Sequence, residues 1–356
     1  MEELKFIDPL HDTRWDKFVL EHPCGWIVHL SGWKKVIEST FPHIRGYHLA
    51  LIDQQTGTVK AGLPIYEIRS WLTGNRLVSV PFATISDMLV SNEKQSDLLI
   101  NETIQLLKRL KLSHIEIRTL SSETLRSYNE FHSNSDYKHH YLNLTEGIDA
   151  IWKNLSAKSV RYEINKAKKN KIELKIADNE EDLKSFYRIY ALTRKRLGLP
   201  AQPYLFFKTL YNAFSTSGNI TILLAVLEGK AIASHLLFKF NGRVSAEAAG
   251  DDPDFRNISP SRFLFWEGIK SACMEGYKVY DFGRTSIYNN SLMDFKKRWG
   301  TYETDMYTFF YGKKEMSAGA ASRETSLPYR VMRYMCQNSP DSMQPIISRF
   351  CYRHLG

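Results

Sequence analysis

The stretch YDFGRTSIYNNSLMDFKKRWG, residues 280–300, determines how the fold of the whole chain is interpreted. It begins as an apolar strand that ends on an acid and an arginine, Asp281 and Arg284, on either side of a glycine bend. A turn-rich segment then leads to an aromatic residue, three cations and a second aromatic residue, from Phe295 to Trp299. Loops on a rigid scaffold often carry binding and catalytic residues. This composition therefore predicts a site that holds an anionic ligand.

The chain has the length and composition of a globular protein with about two domains. It has 356 residues, of which 43% are hydrophobic and 24% are charged, and this balance argues against disorder. No window is apolar enough to span a membrane, and the N-terminus has no signal-peptide pattern. The four cysteines form no CxxC pair and stand at no metal-ligand spacing, so we expect no metal site. These features predict a cytoplasmic protein in a reducing compartment.

The positive charge is confined to two segments of the chain. The formal net charge is +9. Residues 158–175 contain seven Lys or Arg and two Glu, and residues 313–356 contain seven Lys or Arg and three acids. Because the rest is nearly neutral, the expected partner is anionic and is met locally. Few aromatic residues lie among these cations, so any contact with tRNA would rest on phosphates, and DNA is not an expected partner.

The two halves of the chain repeat one order of secondary structure. In each half, strands joined by tight turns precede a helix, and a further strand then ends in an acid and an arginine. These pairs are Glu116 with Arg118 and Asp281 with Arg284. The repeat predicts an α/β fold of two tandem units, each with a mixed central sheet flanked by helices.

The expected limits of these units follow from changes in composition. We place the first unit at residues 1–145 and the second at residues 146–312. Residues 313–356 then form a polar linker and a short helical tail. In the second unit, the main helix is predicted to begin at Pro260, with Ser259 as its N-cap.

Five segments, in order, resemble the FemAB-like branch of the GNAT superfamily. The most specific is residues 280–300, which is similar to a D-F-G-R signature followed by F-K-x-x-W-G. The weaker segments are VHLSGWKKVIESTFP (28–42), GLPIYEIRSWLTGNRLVSVPF (62–82), WKNLSAKSVRYEINKAKKN (152–170) and RKRLGLP (194–200). The resemblance covers nearly the whole chain to about residue 312, and it implies two tandem GNAT-like units.

The resemblance also implies an N-acyltransferase activity. Characterised members of this branch move an amino acid from aminoacyl-tRNA to an amino group of a peptidoglycan precursor, and others belong to exopolysaccharide systems. The implied function is acyl or aminoacyl transfer to a nucleotide-linked or lipid-linked cell-envelope precursor. The donor is left open between aminoacyl-tRNA and acyl-CoA, and no tightly bound cofactor is expected.

Two site residues are implied by the resemblance. In the members that build the interpeptide bridges of peptidoglycan, the lysine of the F-K pair is implicated in catalysis. In the same members, an arginine near the basic helix helps to hold precursor phosphates. Matched by motif, these residues are Lys296 and Arg161. Lys296 would stabilise the oxyanion of acyl transfer or contact a donor phosphate. The alternative is that Lys296 is a solvated lysine in a loop.

Residues 280–300 contain further candidates. Asp281 is a catalytic candidate because it can accept the amine proton or orient Arg284, which in turn can hold a carboxylate or phosphate. An equally weighted alternative is a buried ion pair between these two residues. Phe295 and Trp299 are candidates for substrate contact, although core packing is favoured for Trp299.

Elsewhere, two features leave alternatives open. His235 and Glu247 lie on neighbouring predicted strands, where a general base is conceivable but a buried histidine is favoured. In the tail, apolar residues at roughly helical spacing predict either docking on the body, which is favoured, or contact with the inner face of an anionic membrane. They are Met343, Ile346, Ile347, Phe350 and Leu355, with Arg349 and Arg353 beside them.

Three other functions compete with acyl transfer to an envelope precursor. One is an acyl-CoA-dependent N-acetyltransferase of small amines, but the segment DFRNISPSRF (254–263) lacks the glycine loop that cradles pyrophosphate. Another is a non-catalytic GNAT-like scaffold in polysaccharide assembly, in which Lys296 and Arg284 would face solvent. The third is a tRNA-binding module, whose binding would weaken steeply with salt.

Overall fold

The computed structural model describes residues 2–120, 123–312 and 327–354, which form two compact units. The first unit contains residues 2–136, 305–312 and 349–354, and the second contains residues 137–304 and 327–348. The predicted linker at 313–326 lies outside the described residues. Among the described helices, none is long and apolar enough to cross a membrane.

Both units contain strands and helices. The strands are β1 (Glu2–Ile7), β2 (Ile44–Asp53), β3 (Val59–Ile68), β4 (Arg76–Val78), β5 (His114–Thr119), β6 (Phe131–Asn143), β7 (Glu173–Ile176), β8 (Ile220–Leu227), β9 (Lys230–Phe240), β10 (Arg243–Asp251), β11 (Val279–Ser286) and β12 (Tyr302–Tyr311). The helices are α1 (Thr13–Glu21), α2 (Ser31–Thr40), α3 (Glu93–Arg109), α4 (Glu123–Arg126), α5 (Ile148–Asn154), α6 (Tyr162–Lys169), α7 (Glu180–Leu197), α8 (Tyr204–Phe214), α9 (Pro260–Met274), α10 (Asn290–Lys297), α11 (Leu327–Asn338) and α12 (Gln344–His354).

The first unit is a mixed sheet with α3 packed against it. The strands β1 to β5 lie in that order, with β12 beside β5. The pair β4–β5 is parallel, and the other pairs are antiparallel. Helix α3 buries Leu99, Ile100, Ile104 and Leu107 in the same core as the strand residues Leu63 and Ile117. This helical spacing of apolar residues is what the sequence presents, so the helix and its buried face follow from local pattern.

The second unit is a mixed sheet with α9 packed against it. Its strand order is β6-β11-β10-β9-β8-β7, and the pair β10–β11 is parallel. The predicted antiparallel meander is confirmed as β8, β9 and β10. Helix α9 buries Leu264 and Ile269 in a core with Leu237 and Tyr280. The sequence therefore predicted the α/β class of both units correctly.

Helix α9 begins at Pro260, as predicted, but Ser259 does not cap it through its side chain. The backbone of Ser259 is left-handed, with φ of 60°. Its hydroxyl donates instead to Glu163, on α6. Ser259 therefore connects two helices of the second unit rather than satisfying the first N–H groups of its own helix.

The helical tail docks on its neighbours with one face and exposes the other. In the second unit, α11 buries Cys336 and lies so close to Gly198 that a β-carbon there would stand 2.3 Å from Arg333. In α12, Ile347 and Tyr352 are buried, whereas Phe350 is 54% exposed. Leu355, the last apolar residue of the predicted stripe, lies outside the described residues. Docking is thus observed, and it leaves part of the apolar stripe in solvent.

Candidate active site

The candidate site lies where two parallel strands of the second unit diverge. β10 and β11 are paired from Arg243–Val279 to Ser245–Asp281, after which each strand continues for several residues. Both strands have an irregularity at this point. The register of β10 shifts between Ala246 and Ala248, and that of β11 shifts between Asp281 and Arg284. Diverging strands with bulges open an edge at which side chains and backbone groups can face a ligand.

The strand that carries Asp281 does not end at the glycine bend, contrary to the sequence prediction. Gly283 has φ of 72° and forms part of a bulge, after which β11 continues to Ser286 beside β6. Such a φ is easily adopted only by glycine. The carboxylate of Asp281 accepts a hydrogen bond from the Gly283 N–H at 2.6 Å and holds the bulge in this shape.

Asp281 pairs with a histidine that the sequence analysis did not single out. Asp281 Oδ2 lies 2.8 Å from Nε2 of His139, on β6, and both side chains are buried. Burial raises the pKa of Asp281, but the charge and hydrogen bond of His139, with the Gly283 N–H, lower it overall. Asp281 therefore stays ionised. The predicted alternative of an Asp281–Arg284 ion pair is wrong, because the partner is His139.

Lys296 is buried on α10, close to the same bulge. It is 4% exposed, and its Nζ donates to the carbonyl oxygens of Gly283 at 2.8 Å and Arg284 at 3.2 Å. Burial lowers the pKa of Lys296 to about 8, against the opposing charge of Asp281. The alternative of a solvated loop lysine is therefore wrong. An ammonium has three N–H donors, so these two contacts leave one for another acceptor.

Glu247 lies at the bulge of β10 and has an unusual ionisation. Burial raises the pKa of Glu247 to about 7, and the negative charge of Asp281 also raises it. The Ser245 hydroxyl, which donates to Glu247 at 2.6 Å, acts in the opposite direction and lowers the pKa. A carboxyl group with such a pKa can take up and release a proton near neutral pH. The sequence analysis considered a general base at His235 and Glu247 but favoured a buried histidine. His235 is fully buried, and burial lowers its pKa to about 3.

The other predicted residues of the 280–300 stretch occupy different surroundings. Arg284 is half-buried and stacks over the ring of Tyr137, with its Cζ 4.6 Å from the ring centroid. Trp299 is fully buried in the core against Phe265 and Phe282, and Phe295 packs beside it at 6.2 Å. These positions favour core packing over substrate contact for Trp299. Arg284 keeps a cationic group close to the bulge.

Arg161 lies on a turn that starts beside the end of α10, because the N–H of Ser156 donates to the Arg298 carbonyl at 2.9 Å. It ends a π-helical turn, Ala157–Arg161, and lines an open groove with Trp152, Tyr162 and Asn165. π-Helical turns occur often at functional sites. In the described part of the chain, no hydrogen bond or ion pair joins Arg161 to Lys296 or Asp281.

The segment before α9 is closed by ion pairs rather than by glycines. Arg256 donates to Asp251 at 3.3 Å, and Arg196 donates to the same carboxylate at 2.8 Å. Asp252 pairs with Lys230 at 3.4 Å. Three cations around this segment, Arg196, Lys230 and Arg256, are therefore already paired with carboxylates.

Comparisons with known proteins agree with this architecture. Residues 156–297 match the family described as the acetyltransferase (GNAT) domain. Among curated proteins, no sequence matches this chain. Among solved structures, FemX aligns over 87% of this chain and 97% of its own, with a TM-score of 0.70 and 17% identity.

Two other solved structures have the same fold over most of their length. L-PGS from Bacillus licheniformis aligns over 92% of this chain and 97% of its own, with a TM-score of 0.58 and 13% identity. A tandem GNAT protein from the clavulanic acid biosynthesis pathway aligns over 88% of this chain and 100% of its own, with a TM-score of 0.54 and 10% identity. At such identities the likeness shows the fold, which is the tandem GNAT fold that the sequence resemblance implied.

Proposed function

Because the second unit contains a domain of the GNAT acyltransferase type, we propose that this protein transfers an acyl or aminoacyl group to an amino group of a cell-envelope precursor. The observation that supports this most is the cluster of Glu247, Asp281, His139 and Lys296 at the divergence of β10 and β11. It combines a proton acceptor, a fixed negative charge and a buried cation. Acyl transfer to an amine requires deprotonation of the amine, stabilisation of the charge that develops, and alignment of the reacting groups.

Glu247 is the proposed general base. An acceptor ammonium must lose a proton before its nitrogen can attack the acyl carbonyl, and a carboxylate with a pKa of about 7 can accept that proton. The new N–C bond forms as the bond from the carbonyl carbon to the oxygen or sulfur of the donor breaks. The proton held by Glu247 is then available to the leaving group, so the carboxylate is regenerated.

Lys296 and Asp281 are proposed to position the reacting groups. Lys296 fixes the carbonyl groups of the β11 bulge, and its remaining N–H is available to the oxyanion that develops on the acyl carbonyl. Asp281 holds Gly283 and His139, and its negative charge stabilises the ammonium form of Lys296. The predicted role of Lys296 at the oxyanion is retained in this proposal, together with a positioning role.

The donor that we favour is an aminoacyl ester rather than acyl-CoA. Pyrophosphate of CoA binds GNAT domains at a helix N-terminus with free backbone N–H groups. Here the corresponding segment carries Asp251, Asp252 and Asp254, and Arg256 is engaged by Asp251. Because the carboxylates of Asp251 and Asp252 pair with the nearby cations, these cations are less available to a pyrophosphate. An amino acid carried by tRNA fits the resemblance to the FemAB-like branch.

The acceptor that we favour carries phosphate as well as an amine. Arg161 in its groove and Arg284 near the bulge are the cations proposed to contact anionic groups of a nucleotide-linked or lipid-linked precursor. This assignment makes the acceptor a peptidoglycan or surface-polysaccharide intermediate.

The test is to measure ligand binding and transfer with the full chain. Thermal unfolding would be followed with acetyl-CoA, a charged tRNA pool or a UDP-linked muramyl peptide. We expect a higher Tm with the muramyl peptide, because a ligand at about 100 times its Kd stabilises the folded state by about 2.7 kcal/mol. A rise in Tm with acetyl-CoA alone would instead identify a small-amine acetyltransferase.

Neighbouring lysines on α10 provide a matched pair of variants for the transfer assay. Lys296→Met is expected to lower the transfer rate about 100-fold or more, because a buried donor at the bulge is removed. Lys297→Met should retain the wild-type rate, since the Lys297 side chain is 56% exposed. Equal rates for the two variants would show that Lys296 has no part in the reaction.

A further inference from the structure

The loop between β3 and β4, in the first unit, holds a tryptophan in solvent. Trp71 is 77% exposed and Leu72 is 54% exposed, whereas each of the other tryptophans is buried or half-buried. The loop is fixed by its own hydrogen bonds, because Ser70 Oγ accepts from the N–H groups of Leu72 at 3.2 Å and Thr73 at 2.9 Å. Two adjacent large apolar side chains are thus presented outward by a well-defined turn.

The end of helix α12 adds an aromatic residue to the same surface. The ring of His354 lies 5.2 Å from the rings of both Trp71 and Phe350. Thr73 Oγ1 donates to the His354 carbonyl at 2.8 Å, and this bond joins the helix end to the loop. Phe350 is 54% exposed. Trp71, Leu72 and Phe350, with Arg349 and Arg353, form what we call the Trp71 patch.

The loop and the helix that form the Trp71 patch carry charged side chains of one sign. Arg349 and Arg353 are both exposed and lie one helical turn apart on α12. Neither the loop at 70–76 nor α12 contains an Asp or Glu. Exposed tryptophan and leucine beside arginines, without carboxylates, is the composition of segments that lie at the interface of an anionic bilayer.

We propose that the Trp71 patch docks this protein on the surface of a bilayer that contains anionic lipids. Trp71 and Leu72 enter the boundary between headgroups and acyl chains, where the amphipathic indole ring is stabilised. Arg349 and Arg353 contact lipid phosphates, each contributing to the attraction. None of these residues belongs to the acyl-transfer cluster, so the membrane contact and the transferase activity can be tested separately.

The test is flotation of the full chain with lipid vesicles. We expect binding to phosphatidylcholine vesicles that contain about 30% phosphatidylglycerol, little binding to phosphatidylcholine alone, and weaker binding at high salt. The double variant Trp71→Ala with Leu72→Ala should lower the partition coefficient at least about tenfold. Arg349→Gln and Arg353→Gln should each lower it about fivefold. Leu20→Ala is the control, because Leu20 is 56% exposed on α1 and should not affect binding.

A spectroscopic measurement distinguishes contact through this patch from any other contact. Because Trp71 is the exposed tryptophan, brominated acyl chains should quench its fluorescence in the wild type. Trp71→Phe should still float with the vesicles but lose this quenching. The proposal is overturned if the wild type fails to bind anionic vesicles at low salt. It is equally overturned if the Trp71–Leu72 double variant binds as well as the wild type, or if that variant instead dissociates an oligomer seen by light scattering.

Discussion

At the scale of single residues, the pKa values of two carboxyl groups of the candidate site are shifted in opposite directions. His139 and the Gly283 N–H lower the pKa of Asp281 in spite of burial, whereas burial and the charge of Asp281 raise the pKa of Glu247 to about 7. Carboxyl groups whose pKa values are driven apart take different roles in one reaction. Here the ionised Asp281 organises the site, and Glu247 is the group that can exchange a proton.

The pH dependence of transfer should report the ionisation of Glu247. A base works when it is deprotonated, and Lys296 has a third N–H for the oxyanion only as an ammonium, so kcat/KM of the wild type should rise as the pH increases through about 7 and fall above about 8. Glu247→Gln should lower the rate by about 10²–10⁴ and remove this rise. The measurement is kcat/KM between pH 5 and pH 9 for both proteins.

The control for this prediction is an exposed acid on α10. Asp294→Asn should keep both the rate and the pH profile, because Asp294 faces solvent. If the profile of Glu247→Gln still rises through pH 7, another group is the base.

At the scale of secondary structure elements, the bulge of β11 sets the geometry of the site. The Gly283 backbone lies in the left-handed region, and its carbonyl accepts the hydrogen bond from Lys296 at 2.8 Å. The bulge also re-aims Arg284 relative to Asp281, so that the two residues do not pair. Gly283 therefore sets the positions of Arg284, Asp281 and Lys296.

Gly283→Ala should lower both stability and activity. The φ of 72° is strained for alanine, and the expected loss of unfolding free energy is about 1–2 kcal/mol. Relief of this strain would move the Gly283 carbonyl away from Lys296, so we also expect a lower kcat. Urea unfolding and the transfer assay measure the two effects.

Gly276→Ala is a matched control for the strain. Gly276 has φ of 79°, and a β-carbon at either glycine would meet no atom within 4 Å. Both variants should therefore lose similar stability, but Gly276→Ala should keep the wild-type kcat. If the two variants had the same kcat, the bulge would have no role in the reaction.

At the scale of the whole molecule, the strand-end acids of the two tandem units, Glu116 and Asp281, are both buried beside a histidine and ionised. In the first unit, Glu116 is held by His114 at 3.1 Å and by Arg76 and Arg118, each at 3.8 Å. Despite burial, these partners lower the pKa of Glu116 to about 2. A carboxylate that is fully engaged has no free capacity to accept a proton from a substrate. Glu116 thus resembles Asp281 and not Glu247, whose pKa is raised to about 7, so we assign the proton transfer to Glu247 of the second unit.

Glu116→Gln should destabilise the protein without slowing transfer. A folded-state pKa of about 2, below the ordinary 4.5, stabilises the folded state above pH 4.5, and this stabilisation is lost as the pH falls towards 2. The shift corresponds to about 3 kcal/mol. The difference in unfolding free energy between wild type and variant should therefore be larger at pH 6 than at pH 3, as measured in urea.

The control for this variant is Glu21→Gln. Glu21 is exposed at the end of α1, and its replacement should alter neither stability nor its pH dependence. A lower transfer rate in folded Glu116→Gln would contradict the assignment of chemistry to the second unit.

The sequence by itself determined the elements that depend on neighbours along the chain. The meander β8–β10 and the helix α9 were predictable because alternation and helical periodicity are local patterns that the printed residues display. The tandem order was visible for the same reason. Lys296 and Arg161 were identified only through the resemblance of their motifs, because a lysine or arginine in a charged segment does not by itself indicate a function.

Only the tertiary structure decided which side chains meet. His139 and Asp281 pair because β6 lies beside β11, and strand order depends on long-range packing that no local pattern contains. The burial of Lys296 and the pKa of Glu247 arise in the same way, from desolvation by elements distant in the chain. The surroundings of Trp71 were equally hidden, because its position beside His354 is set by the docking of the last helix. Local sequence thus specified the elements, and non-local contacts created the site.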